Sequence, residues 1–291
     1  MHSTLRHKEI GSDAIILDSR IGDLLLGQGR LTVDDAERIS RLQRQEGIRF
    51  GEAAKLLGLV TDADIDTVLA QQFDYHYLPC GSADFAPQLI AAYSPFSREV
   101  EALRAVRGQL LHRWFSVGNQ SLLFASAGRY EGVSIGIANL AIVFSQLGQR
   151  TLLIDANLRN PAQHKIFNID LRCGLSDVLV GRISSDAHVN IDPFPNLSVL
   201  IAGTTPPNPQ ELLSRPSFGN LLASVSPQFD VILIDVGSFS VSADVLAIAS
   251  HVKGIAIIAR AGHASVADLK EIAALVRNTR CELVGSVLFD F

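Results

Sequence analysis

The chain has 291 residues, of which 47% are hydrophobic and 19% are charged, and these proportions exclude an intrinsically disordered protein. Its formal net charge of −5 provides no general attraction to nucleic acid or anionic lipid. No run of 18 or more apolar residues occurs, so we expect no membrane span. Three widely spaced cysteines fit neither a disulfide framework nor a zinc motif, which favours a cytoplasmic protein.

A tandem repeat dominates the N-terminal part of the chain. Residues 1–18 lack the apolar segment of a signal peptide, and we expect a flexible tail there. Within residues 19–80, the sequence Arg20-Ile21-Gly22 recurs as Arg49-Phe50-Gly51, an offset of 29 residues. This fixed offset predicts two copies of one structural unit.

Each copy contains the signals for one helix end and one helix start. Gly29 and Gly58 are expected to end a short helix in the left-handed conformation. Thr32 and Thr61 are expected to cap the next helix, because each is followed three residues later by an aspartate. The pattern predicts a small α-helical domain in which the two units bury each other's apolar stripes.

Strand-like and helical segments alternate in the C-terminal two-thirds. Glycine and proline within residues 81–97 favour a linker, and a polar helix follows over 98–114. The alternation predicts an α/β fold with a mostly parallel sheet and helices on both faces. Strands are predicted over 121–126, 150–155, 197–202, 230–235, 254–260 and 282–289, and helices over 134–147, 209–225, 242–250 and 264–278.

The first of these strands leads into a glycine-containing loop before a helix. A Walker A loop occupies this position and presents backbone N–H groups to phosphate. Its usual ending is Gly-Lys-Ser/Thr, whereas this chain has Gly132-Val133-Ser134. The serine that would hold magnesium is therefore present, and Val133 replaces the lysine that would reach the phosphates.

Two later strands end in acids, Asp155 and Asp235. In an open α/β sheet the ligand crevice lies beyond the carboxyl ends of the strands, so we expect both acids beside the glycine loop. They are the predicted catalytic residues and, with Ser134, the predicted magnesium ligands. The alternative is that they only cap strand ends. The predicted nucleotide-binding residues are Gly128, Gly132, Val133, Ser134, Asn157 and Arg159.

The order of these motifs resembles that of the bacterial tyrosine kinases of exopolysaccharide assembly, a branch of the deviant Walker P-loop ATPases. The resemblance is carried by the glycine loop, by Ile-Asp-Ala-x-x-Arg-x-Pro at 154–161, by Ile-Asp at 234–235, and by tracts at 174–179 and 202–213. It covers about residues 94–291, with the P-loop domain at 98–291. It implies an ATP-using, magnesium-dependent partner of a membrane polysaccharide co-polymerase, held by that partner at the inner face of the plasma membrane.

The resemblance also implies self-assembly. Glu101, Arg104 and Arg107 match the family's Glu-x-x-Arg-x-x-Arg element, which mediates ring formation. We therefore expect a homo- or hetero-oligomer. The alternative is an ordinary charged helix face with i,i+3 pairing.

Departures from the family pattern favour a pseudokinase. Besides Val133, Asn157 replaces an aspartate, and Tyr130 stands where the family often has glycine. The family autophosphorylates a tyrosine-rich C-terminal tail, whereas the four tyrosines here lie at or before Tyr130. We expect vestigial acids, weak or absent binding of ATP and magnesium, and a regulatory or scaffolding role in exopolysaccharide synthesis and export. The alternative is an active tyrosine kinase or ATPase that controls chain length.

The tandem repeat resembles the N-terminal domain of type II secretion and pilus ATPases, whose tandem copies bind cyclic di-GMP in some members. The resemblance implies arginines that meet guanine or phosphate and apolar residues, such as Leu25 and Leu31, that flank the bases. A plain docking module is the open alternative. The implied ligand residues are Arg20, Gly22, Leu25, Gly29, Gln43, Arg49, Gly51, Gly58 and Gln72.

Overall fold

The computed structural model describes residues 21–72, 75–78, 84–126, 128, 132–239 and 243–289. It divides between His76 and Tyr77 into a smaller N-terminal unit and a larger C-terminal unit. The predicted tail at 1–18, Arg20 and Tyr130 lie outside the described residues. No helix within the described ranges is both long and apolar enough to cross a membrane.

The smaller unit is helical. It contains α1 (residues 21–27), α2 (Val33–Glu46), α3 (Phe50–Leu56) and α4 (Asp62–Gln72). Gly29 and Gly58 have φ angles of 67° and 66°, so they adopt the left-handed conformation expected of them. The Thr32 side chain accepts a hydrogen bond from the Asp35 amide, and the Thr61 side chain accepts one from the Asp64 amide. The repeat thus sets the helix boundaries of this unit.

A seven-stranded sheet forms the centre of the larger unit. Its strands are β1 (Ser121–Ser126), β2 (Thr151–Asp155), β3 (Val189–Asn190), β4 (Leu197–Leu200), β5 (Val231–Ser238), β6 (Gly254–Arg260) and β7 (Glu282–Phe289). They lie in the order β3-β4-β2-β5-β1-β6-β7, and only β3 runs antiparallel to its neighbour. The predicted mostly parallel sheet is confirmed.

Helices cover both faces of this sheet. They are α5 (Ile90–Tyr93), α6 (Arg98–Arg113), α7 (Val133–Gln146), α8 (Gln163–Ile166), α9 (Leu175–Leu179), α10 (Pro209–Leu213), α11 (Pro216–Val225), α12 (Asp244–Ala249) and α13 (Val266–Arg277). Alternate strand residues enter two separate hydrophobic clusters. Leu122 and Phe124 of β1 join the cluster with α6 and α7, whereas Leu123 joins the cluster with α11 and α12. The P-loop-type α/β fold expected from the sequence is the observed fold.

The described part of the predicted linker is packed structure. Leu89, Ala91 and Ala92 are fully buried in the cluster that contains α7. The Ala91 amide donates to the Asn139 side-chain oxygen of α7 at 2.8 Å, and the Asn139 side chain donates to the Gln88 carbonyl at 3.0 Å. Residues 84–97 therefore belong to the larger unit.

The predicted helix over 209–225 is two helices. α10 ends at Leu213, and α11 begins with Pro216. Proline has no N–H to continue a helix, and it favours the first helical position instead. The break therefore follows from Pro216, whose effect the helical periodicity does not show.

The single tryptophan of the chain, Trp114, is buried in the larger unit. Trp114 follows α6 and is only 3% exposed. Its indole N–H donates to the Ser121 carbonyl at 3.0 Å. Its ring packs against Gly254 so closely that an added Cβ there would overlap it. The start of β6 therefore needs a residue without a side chain.

Candidate nucleotide site

The carboxyl ends of β1, β2 and β5 meet at one cleft of about 630 Å³. The start of α7, the loop after β2 and the end of β5 supply its walls. Among the described residues its lining is Ser126, Gly128, Gly132, Val133, Ser134, Ile135, Asn157, Arg159, Asn160, Pro161, Ala162, Lys165, Ile166, Val236, Gly237 and Ser238. The structure thus brings the six predicted nucleotide-binding residues to one site.

The beginning of α7 combines a glycine turn with an apolar first residue. Gly132 has φ 67° and ψ 20°, a left-handed conformation that costs glycine little. Val133 lines the cleft but is only 7% exposed, because it packs in the hydrophobic cluster beneath α7. The position of the missing lysine is therefore filled by a side chain that belongs to the core.

Asp155 is fully buried and accepts hydrogen bonds on both carboxylate oxygens. Its Oδ1 accepts from the Asn157 amide at 3.2 Å, and its Oδ2 accepts from the Ala162 and Gln163 amides at 2.9 Å each. Burial and the nearby Asp235 raise the pKa of Asp155 to about 7, although the three amides oppose the shift. Asp155 therefore anchors the start of α8.

Asp235 lies directly beside Asp155 in the β2–β5 register and is also fully buried. Its Oδ2 accepts a hydrogen bond from the Gln163 side chain at 2.9 Å. Its Oδ1 is buried and has no hydrogen-bond partner within the described residues. Burial raises the pKa of Asp235, while the nearby Ser134 hydroxyl and Gln163 amide act in the opposite direction.

Gln163 links the two buried acids, Asp155 and Asp235, to the start of α7. Its side-chain amide donates to Asp235 and also to the Ser134 carbonyl at 3.1 Å. The residue is fully buried although it is polar. No sequence motif marked it, because a glutamine in a four-residue helix has no distinguishing pattern.

Arg159 pairs with Asp244, an acid that no sequence motif indicated. Its guanidinium makes two hydrogen bonds to Asp244, at 2.7 and 3.2 Å, and Asp244 is 3% exposed at the start of α12. Such bidentate pairing holds a guanidinium in one orientation. Arg159 thus lines the cleft while its charge is matched by Asp244.

The neutral Asn157 occupies a crowded position. Its side-chain oxygen accepts from the Asn160 amide at 3.2 Å. A Cβ added to Gly237 would lie 3.0 Å from the Asn157 amide nitrogen. The side chain that replaces a family aspartate is therefore held inside the loop after β2.

Oδ1 of Asp235 has no hydrogen-bond partner within geometric limits among the described residues, and the Ser134 hydroxyl and Gly237 amide lie near this carboxylate. Magnesium prefers such hard oxygen ligands together with ligand phosphates and water. The arrangement fits a magnesium ion held mainly by a bound ligand. Among the described residues, no group of three or more His, Cys, Asp or Glu side chains is placed to hold a metal.

The predicted assembly residues differ in their exposure. Arg104 donates to Glu101 at 2.9 Å and to the Pro95 carbonyl at 2.7 Å, and its side chain is 19% exposed. Arg107 donates to the Val143 carbonyl of α7 at 2.6 Å. The Glu101 side chain is 72% exposed. Both arginines therefore hold α6 onto its own unit, and Glu101 is the member of this set that faces outward.

Several predicted cyclic di-GMP residues have structural roles in the smaller unit. Leu25 is fully buried and Leu31 is 5% exposed, so neither can flank a base unless the core opens. A Cβ on Gly22 would lie 3.2 Å from the Phe50 ring, and one on Gly51 would lie 3.3 Å from Ile65. These two glycines allow neighbouring helices to approach closely.

The polar members of that set are distributed unevenly. Arg49 is exposed and precedes α3, where its backbone N–H donates to Glu52 at 3.1 Å. Gln43 on α2 and Gln72 on α4 are half-buried. The guanidinium of Arg49 is thus the accessible charged group of the described set.

The sheet order and the cleft beyond the strand ends define an α/β protein with the P-loop NTPase-like fold. No family model matches the chain. The putative tyrosine-protein kinase CapB of Staphylococcus aureus is 30% identical over 194 residues, which are 67% of this chain and 85% of CapB. Tyrosine-protein kinase YwqD of Bacillus subtilis is 30% identical over 69% of this chain and 84% of YwqD. The chain therefore belongs to the family of bacterial tyrosine-protein kinases.

Solved structures are similar over the same region. The kinase domain of the Escherichia coli tyrosine kinase ETK has a TM-score of 0.67 at 26% identity, over 69% of this chain and 79% of that domain. The chimerical protein CapA2B2 has a TM-score of 0.66 at 27% identity, over 76% and 96%. Some relatives are much longer, and the chain spans 39% of one from Klebsiella pneumoniae and 25% of Salmonella typhi wzc.

Proposed function

We propose that this protein is a pseudokinase of the bacterial tyrosine-kinase family that regulates or scaffolds exopolysaccharide synthesis and export. The observation that supports the proposal is Val133, which packs in the core where the family places a phosphate-binding lysine. Phosphoryl transfer depends mainly on positioning and on electrostatic stabilisation of the phosphates. An apolar side chain at this position supplies neither.

Two further features support the loss of turnover. Asn157 is neutral where the family has an aspartate, so one metal-facing charge is gone. Gln163 occupies Oδ2 of Asp235, and three backbone amides occupy the oxygens of Asp155. The retained acids therefore have hydrogen-bonding roles in the fold.

The rival proposal is a working kinase or ATPase. It is supported by the registered pair Asp155 and Asp235 and by the uncommitted Oδ1 of Asp235 beside Ser134. When magnesium is bound, it neutralises charge on the transferring phosphate. Asp235 and Ser134 are the residues that would hold it, and α7 would direct its first backbone amides at the phosphates.

Magnesium-dependent ATP hydrolysis and tyrosine autophosphorylation separate the two proposals. We expect the purified protein to show neither above background. We expect Val133→Lys to restore little unless Tyr130 and Asn157 are also changed, because these positions act in one coupled site. Robust turnover that disappears in Asp155→Ala or Asp235→Ala would overturn the pseudokinase proposal.

The proposed partner is a membrane polysaccharide co-polymerase that holds the protein at the inner face of the plasma membrane. The family membership and the relative described as lying in a cps region support this proposal. Fractionation tests it: the protein should sediment with membranes when the co-polymerase is present and remain soluble when that gene is deleted. Equal sedimentation in both strains would contradict it.

The smaller unit has two proposed roles, cyclic di-GMP binding and protein docking. The exposed guanidinium of Arg49 supports ligand binding, because guanidinium groups pair with guanine and with phosphate. The burial of Leu25 and Leu31 supports docking, since the apolar contacts needed by the bases are in the core. Titration with cyclic di-GMP distinguishes the two.

A further inference from the structure

The described lining of the cleft carries positive charge and no acidic side chain. Its two cations are Arg159 and Lys165. Asp244 matches the charge of Arg159 through two hydrogen bonds. Lys165 is exposed and forms no ion pair among the described residues. Within the described lining, Lys165 is therefore the cation whose charge is not matched by an ion pair.

The backbone that carries Lys165 is held firmly at the site. The amides of Ala162 and Gln163 donate to Asp155, and the Gln163 side chain donates to Asp235 and Ser134. Ile166, the next residue, is 5% exposed in the hydrophobic cluster beneath α7. The Cα atom of Lys165 is thus fixed beside the cleft, while its long side chain can adjust to a ligand.

The remaining lining indicates the class of ligand. The first turn of α7 brings its backbone amides to the cleft, and anions bind favourably at such a helix start. Ile135 and Pro161 add apolar surface to the same cleft. A ligand with both phosphates and an apolar ring matches this combination better than a bare phosphate does.

We propose that the cleft binds a nucleoside diphosphate without requiring a metal ion, and that Lys165 takes the place of the Walker A lysine that Val133 replaces. The proposal rests on the pseudokinase function, since it assigns binding without turnover to the same cleft. The ammonium group of Lys165 reaches the phosphates from α8, whereas a Walker lysine reaches them from α7. The lysine that contacts the phosphates thus lies on the α8 side of the cleft, while the backbone amides of α7 contact them from the other side.

Calorimetric titration of the full-length protein with ADP in EDTA and low salt tests this proposal. We expect the wild-type protein to bind ADP with a Kd of about 0.1–1 mM. Lys165→Ala should bind about tenfold more weakly, which is the lower end of the range for losing a charge-assisted hydrogen bond, because the Lys165 side chain is exposed. Lys165→Arg should stay within about threefold of wild type, since it keeps the charge. Lys270→Ala, an exposed lysine on α13 outside the cleft, should bind like wild type.

The outcomes separate this proposal from the proposed function. No binding by wild type, or equal binding by wild type and Lys165→Ala, overturns the role of Lys165 whatever the turnover assay shows. Binding that appears only when magnesium replaces EDTA overturns the metal-free mode. Robust ATP hydrolysis overturns the pseudokinase function, while the affinities measured in EDTA still decide the role of Lys165. Thermal melts of each variant confirm that the compared proteins are folded.

Discussion

The smaller unit and the nucleotide cleft both contain residues that match ligand-binding families, but for different physical reasons. In the smaller unit, Gly29 and Gly58 form turns and Leu25 fills the core, so the presence of these three residues is explained by folding. In the cleft, Val133 and Asn157 are departures that the fold tolerates. Retained motif residues can therefore report on the fold, whereas the replaced ones are the basis of the proposed loss of turnover.

The largest expected effect concerns the pH dependence of stability in the larger unit. The folded-state pKa of Asp155 is about 7, above its ordinary value of 3.8, so the folded state holds a proton that the unfolded chain releases. The free energy of unfolding should therefore fall as pH rises from about 4 to 7, by on the order of 3 kcal/mol. Asp155→Asn should remove this contribution.

Denaturant unfolding at pH 5 and pH 8 measures this pH dependence of the free energy of unfolding. Wild type should lose more stability than Asp155→Asn between the two values. Asp170→Asn, a change at an exposed aspartate, should keep the wild-type difference. Parallel losses in wild type and Asp155→Asn would contradict Asp155 as the source.

The next effect tests whether the smaller unit binds a ligand. If the unit binds cyclic di-GMP, Arg49→Ala should weaken binding about 10- to 150-fold, because a charge-assisted hydrogen bond contributes about 1.5–3 kcal/mol. Arg41→Ala, an exposed arginine outside the repeated motif, should change it little. Titration of the full chain measures both variants. Absence of binding at tens of micromolar ligand would leave protein docking as the role of this unit.

A smaller effect tests the structural explanation of the repeat. Gly58→Ala should destabilise the smaller unit by about 1 kcal/mol, because φ there is 66° and a Cβ is unfavourable in that conformation. Gly27 lies in α1, and a Cβ added there would have no neighbour within 4 Å. Gly27→Ala should therefore be neutral or stabilising by about 0.5–1 kcal/mol. Thermal unfolding followed by circular dichroism compares the two. Equal effects would argue against the turn as the reason for this glycine.

The smallest expected change in stability is at the proposed assembly face. Glu101→Arg removes an exposed pair with Arg104 and should alter the free energy of unfolding by only a few tenths of a kcal/mol. If the face contacts another subunit, sedimentation velocity should nonetheless show a changed state of association. Lys270→Glu is the matched charge reversal elsewhere on the unit. Identical sedimentation of wild type and both variants would leave Glu101 as a solvated residue.

The alternation of short apolar runs with helical segments was enough to predict much of the fold. The bounds of β1, β6 and β7 are those predicted, because each is a short apolar run between turn residues. α8 and α9 escaped prediction because they have only four and five residues, too few for helical periodicity to show.

The site was predictable from the strand-end acids and from the loops after β1 and β2, but not where it depends on packing between distant elements. Asp155 and Asp235 follow from strand ends, and their proximity follows from the parallel sheet. Gln163 and Asp244 meet the site through packing between elements distant in sequence, which no local pattern encodes. The burial of Leu25 was missed because an apolar stripe does not show whether it faces a ligand or a neighbouring helix.

The burial of Trp114 against Gly254 makes the larger unit separately observable by fluorescence. The sequence has one tryptophan, and its indole lies inside the larger unit with a hydrogen bond to Ser121. Emission excited at the indole band therefore reports on the unfolding of that unit alone, whereas circular dichroism reports on helices of both. The Gly58→Ala transition should be silent in tryptophan emission, and the pH-dependent transition governed by Asp155 should be visible in it. One intrinsic chromophore thus assigns each stability change to its unit without any label.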